Sequence, residues 1–142
     1  MPDTGRTSQN RPAPGGADEL TVLGRQVREP LSRLECFDAP AGCTLVRFTT
    51  DELTSMCPIT GQPDFSSLLL EYEPAGRCVE SKSLKLYLWS FRDEGIFAEA
   101  LAVAIAEEVM RAAAPRRVKV VVTQHVRGGI VTEATAELPV GE

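Results

Sequence analysis

Along this chain the apolar residues recur first at the two-residue period of strands, then at the roughly 3.6-residue period of helices, then at two again. Cys43 to Thr50 (CTLVRFTT) and Phe65 to Tyr72 read as strands, rich in β-branched and aromatic side chains. From Glu80 to Phe91, Leu84, Leu88 and Phe91 fall on one helical face. A second helix is expected over Ile96 to Ala114, with Glu99 in its first turn and Pro115 closing it. Arg117 to Thr123 and Ile130 to Leu138 alternate again, joined by a turn at Arg127-Gly128-Gly129. The order ββααββ predicts an α+β fold, a four-stranded antiparallel sheet with both helices on one face. Such a sheet exposes its edges, which invites other subunits to complete it as a barrel-like oligomer.

A chain of 142 residues holds one such core. Residues 1–17 carry Pro and Gly without aromatic or β-branched aliphatic side chains and are expected to form a flexible tail, leaving 18–142 as the single domain. Glu19 to Pro40 is expected to be an extended arm or a short surface helix. Twenty acidic against 15 basic residues give a net charge of −5, which argues against a nucleic-acid coat. The longest apolar run, Ala100 to Ala106, falls far short of the roughly 20 residues that cross a bilayer. With no signal-like apolar stretch at the N-terminus, a cytoplasmic setting is expected. Cys36, Cys43, Cys57 and Cys78 form no C-x-x-C hook and His125 is the single histidine, so no zinc site is expected.

Cys57 differs from the other cysteines in lying within a polar, turn-rich loop, TSMCPITGQPD. Asp64 follows a tight turn and could return beside the sulfur to supply or take a proton. The plain alternative is a half-buried loop thiol and an ordinary acidic residue before a strand. Lys82, Lys85 and Arg92 are either a solvated basic edge or a phosphate-binding face. Glu80 and Glu99 open the two helices, where they complement the helix dipole, although a carboxylate also suits a guanine-like edge. No G-x-G-x-x-G or Walker sequence is present.

CPITGQPDF, followed by ESKSLKLY, SFR and the later RGGI, resembles the short form of the NADPH-dependent 7-cyano-7-deazaguanine reductases, the nitrile reductases of queuosine biosynthesis. The resemblance implies the tunnelling fold, in which subunits join their sheets into a barrel with active sites at the interfaces. It implies Cys57 as nucleophile and Asp64 as proton donor. It further implies a substrate site lined by Val79, Glu80, Ser81 and Glu99, with Ala98 beside them, and a cofactor signature holding Lys82, Ser83, Lys85 and Tyr87. The expected substrate is 7-cyano-7-deazaguanine, the cofactor NADPH, and the partner a second copy of the chain; no metal, nucleic acid or membrane is expected.

One departure stands out. Where the family has a His-Glu pair, this chain has Ala98-Glu99, and restoring Ala98→His is expected to raise turnover if the loss is a defect. His125 is expected to lie too far along the sheet to substitute within one chain. Two other readings stay open: a deazapurine-binding homologue impaired by Ala98, and an amidine-forming or hydrolytic relative. The intact ESKSLKLY and the absence of zinc ligands count against the latter.

Overall fold

The computed structural model describes residues 29–141; the expected tail at 1–17 and the first part of the expected arm lie outside the described residues. The elements in order are β1 (Cys36–Asp38), β2 (Val46–Met56), β3 (Pro63–Glu73), β4 (Arg77–Val79), α1 (Ser81–Trp89), α2 (Ala98–Ala113), β5 (Arg117–Arg127) and β6 (Ile130–Leu138). β2, β3, β5 and β6 form an antiparallel sheet in the order β2-β3-β5-β6, while β1 and β4 pair in a separate two-stranded ribbon. The ribbon corrects the expected arm: β1 is neither loose nor helical, because Leu34 and Cys36 are buried in the core.

Alternate residues Ser66, Leu68, Leu70 and Tyr72 of β3, and Val118, Val120 and Val122 of β5, face the helices. α2 answers with Leu101, Ile105 and Val109, all completely buried, and α1 with Leu84, Tyr87 and Leu88 in the same cluster. Glu80 caps α1, its carboxylate oxygens accepting the Lys82 and Ser83 amides at 2.8 Å each. α2 ends at Ala114, which adopts a left-handed conformation just before Pro115. Among the described residues no helix is long and apolar enough to cross a membrane.

Two bulges shape one end of the sheet. The β2–β3 register slips by one residue between Thr50/Leu68 and Leu53/Ser66. The inserted residue reverses which side chains face the core, so that Leu53 and Ser55 are buried beyond it. β2 therefore continues to Met56, past the Thr50 end that its polar TDELTSM sequence suggests. A second slip, between Gln124/Thr132 and Arg127/Ile130, does the same to β5.

Candidate active site

Cys57 is the first residue after β2, at the mouth of a short loop closed by two backbone bonds. Its amide donates to the Gln62 carbonyl at 2.8 Å, and the Gly61 amide donates to the Cys57 carbonyl at 2.9 Å. The closure needs a left-handed residue, which Gly61 supplies at φ 68°. The Thr60 hydroxyl and the Thr60 and Ile59 amides are directed at the sulfur, and they lower the thiol to about 7, aided by the more distant Arg127 cation. Cys78 lies at the other extreme, buried, with burial pushing its thiol up.

Asp64 is buried on the helix-facing side of β3, opposite Ser55 of β2. Its carboxylate is ion-paired with Arg127, whose guanidinium also donates to the Pro63 carbonyl at 3.3 Å and the Gln62 side-chain oxygen at 2.9 Å. Gln62 thus joins the two expected catalytic residues: its backbone holds Cys57, and its side chain holds the arginine that holds Asp64. Neither Arg127, Gln62 nor Thr60 stands out as a site residue in the sequence. The β5 bulge brings Arg127 to Asp64, whereas His125 before it points across the opposite face, 3.5 Å from Ser67. Ser67 in turn donates to Asp51 at 3.0 Å.

The segment after α1 is strapped to the end of β2. Met56 donates to the Glu94 carbonyl at 2.9 Å and accepts from the Ile96 amide at 3.1 Å, and Gly95 lies close enough that a Cβ there would meet the Pro58 Cα at 3.6 Å. This strap sets the start of α2, with Ala98 and Glu99, near the Cys57 loop. Ala98 is 4% exposed and packed into the core, while Glu99 is exposed.

Val79, Glu80 and Ser81 are not gathered there. They lie at the other end of α1, where Ser81 shares a cavity of about 310 Å³ with Thr50. Val79 is buried with its amide on the Tyr72 hydroxyl at 2.7 Å, and Glu80 is engaged as the helix cap. The cofactor signature divides as well. Ser83 is completely buried, donating to the Glu80 carbonyl at 2.7 Å and accepting from the Glu35 amide at 3.0 Å. Tyr87 is buried edge-on against Phe91 with centroids 5.2 Å apart, and burial pushes its hydroxyl well above the usual phenol range. Lys85 is exposed and Lys82 half-exposed, so the cations of the signature face outward while Ser83 and Tyr87 build the helix from within.

The family model for QueF-like proteins matches residues 63–139, a span that carries Asp64 and starts six residues after Cys57. A relative from Syntrophus aciditrophicus (strain SB), named NADPH-dependent 7-cyano-7-deazaguanine reductase, is 45% identical over 91% of this chain and 93% of its own length. The chain belongs to the QueF-like family. A second relative of the same name, from Anaeromyxobacter sp. (strain Fw109-5), is 57% identical over 63% of this chain and 76% of its own. Among solved structures, the apo crystal structure of the archaeosine synthase QueF-Like superposes with a TM-score of 0.63 at 35% identity, over 66% of this chain and 92% of that one. The α+β arrangement read from the chain's periodicities is thus also that of a QueF-like relative.

Proposed function

We propose that this QueF-like chain reduces the nitrile of 7-cyano-7-deazaguanine to 7-aminomethyl-7-deazaguanine with NADPH, in the cytoplasm and within queuosine biosynthesis. The observation that carries this reading is the Cys57 loop, which lowers a half-exposed thiol to about 7 in a chain whose relatives bear that reductase name. A nitrile carbon accepts hydride poorly, and a thiolate added to it leaves a more reactive C=N group. Cys57 bonds to the nitrile carbon as its thiol proton passes to the Asp64 carboxylate and from there to the nitrile nitrogen, forming a thioimide. Asp64 ends the addition as the carboxylate it began as, paired with Arg127. NADPH, when bound, supplies one hydride to the thioimide carbon and a second molecule supplies another. Between the two, the carbon–sulfur bond breaks, the electron pair returns to Cys57, and an imine remains for the second reduction. Two NADPH and two protons are consumed per amine. Lys82 and Lys85, outward-facing on α1, fit a cofactor with several phosphates.

The split between the Cys57 end and the Val79–Ser81 end supports a site completed by a second copy of the chain, in a barrel of the tunnelling type. The single domain is read as spanning 18–142. The test is intact mass after mixing the chain with the nitrile, then NADPH oxidation and amine yield. One observation favours a second reading, a deazapurine binder impaired in turnover: Ala98 is walled into the core and His125 lies on the opposite sheet face. A covalent adduct that forms without NADPH oxidation would select it.

A further inference from the structure

The outer face of α1 continues past the ESKSLKLY signature into the turn that follows it. Lys82, Lys85 and Trp89 lie along α1 at spacings of three and four residues, and Arg92 comes three residues later in that turn. Arg92 lies over the Trp89 indole, its guanidinium carbon 4.9 Å from the ring centroid. Its ion pair with Asp93, at 3.4 Å between highly exposed groups, is weak competition for another anion. Beside the stripe, between α1 and the sheet's edge strand β2, runs a trough. One part, about 500 Å³, is bounded by Thr54, Lys85, Trp89 and Arg92; the adjoining 310 Å³ reaches Ser81 and Thr50. Lys85 and Glu52 border both parts. The helix beneath it is roughly 13 Å long.

Resting on the reductase reading above, we infer that Trp89 and Arg92 form the subsite for the 2′-phosphoadenosine end of NADPH and set its preference over NADH. A planar guanidinium matches a phosphate monoester in a bidentate way, and an arginine is the usual partner of a 2′-phosphate where a carboxylate grips a free ribose hydroxyl. The indole offers a stacking surface for a purine ring. Lys85, midway along the trough, is placed for the linking phosphates, and Glu52 on the β2 rim for a ribose hydroxyl. This polarity sends the nicotinamide toward Ser81, beside Val79 and Glu80, which is the half of the substrate site that lies away from the same chain's Cys57. The hydride donor held by one copy then serves the thiol of another.

The test compares the full chain with Arg92→Gln, Trp89→Leu and Trp89→Phe, using NADPH and NADH in turn against 7-cyano-7-deazaguanine. Arg92→Gln is expected to lower the ratio of kcat/KM for NADPH to that for NADH by about tenfold or more, through KM. Trp89→Leu should raise KM for both cofactors, and Trp89→Phe should restore most of the loss. All three variants should still form the covalent adduct, which needs no cofactor, showing that they fold. Because Trp89 is the chain's single tryptophan, its fluorescence gives a direct reading: 2′,5′-ADP should quench it at far lower concentration than 5′-AMP. An unchanged cofactor ratio in Arg92→Gln, with a wild-type chain that turns over, overturns the inference and leaves the reductase reading standing. Absence of both adduct and oxidation in the wild-type chain overturns both.

Discussion

The two stretches that carry the family resemblance sit in opposite environments. CPITGQPD wraps an accessible sulfur in amide donors and reaches Asp64 through Gln62 and Arg127, so nearly every polar group there faces another polar group of the site. ESKSLKLY, by contrast, spends half its polar residues on building itself: Glu80 caps the helix, Ser83 ties it to Glu35, and Tyr87 fills the core. Two equally recognisable motifs thus differ in what substitution should do. Changes in the first should alter chemistry, whereas changes in the second should alter stability or cofactor affinity according to which side of α1 they touch.

The largest effect is expected at the first motif. Cys57→Ala should abolish the adduct and bring NADPH oxidation below detection, as loss of a covalent nucleophile does. Arg127→Met should follow, because it strands the buried Asp64 carboxylate and frees Gln62. Destabilisation of about 1–3 kcal/mol, read from denaturant midpoints, is expected with a drop in kcat. Adding Asp64→Asn should restore much of the stability, because the stranded carboxylate is gone, and none of the rate, because the proton donor goes with it.

On α1 the comparison can be broken directly. Ser83→Ala should cost about 1–2 kcal/mol of stability by orphaning the Glu35 amide, while Lys85→Gln should leave the melting temperature in place and raise KM for NADPH. The reverse pattern would mean that the inward and outward faces have been misassigned.

Ala98→His bears on the missing imidazole. The family resemblance suggests a gain in turnover, but the packing around Ala98 makes an inserted imidazole cost about 1–3 kcal/mol, measurable as a lower melting temperature. The smallest effect concerns pH. Cys57 alkylation by iodoacetamide should rise as pH passes about 7, since a lowered thiol gains its thiolate above that value. Thr60→Val should move the midpoint upward, toward an ordinary thiol. Cys36 and Cys78, both buried, should stay unmodified in the folded chain.

What was legible in the sequence follows from what periodicity encodes. The long strands and both helices declare themselves through alternation and i, i+4 spacing, and β6 agrees at both ends with Ile130 to Leu138. Periodicity fails where the register slips. The β2 bulge inverts the in-and-out pattern at Leu53, so the strand reads as ending at Thr50 and TSM as the start of the loop, although β2 runs on to Met56. The β5 bulge turns Arg127 toward Asp64, and nothing in RGGI announces which face its arginine takes. The ribbon of β1 and β4 is not legible in the sequence because three-residue strands carry no period. In the candidate site, Cys57 and Asp64 could be found by residue type and loop context. Gln62, Thr60 and Arg127 act through geometry that only the folded loop and the bulge create.

The most direct test of the account is the mass of the intact chain after mixing with 7-cyano-7-deazaguanine, followed by NADPH addition. The account predicts a single adduct on wild type that Cys57→Ala lacks, then its disappearance with two NADPH oxidised per amine released. A wild-type chain that forms no adduct and oxidises no NADPH, or one whose adduct persists on Cys57→Ala, would contradict it.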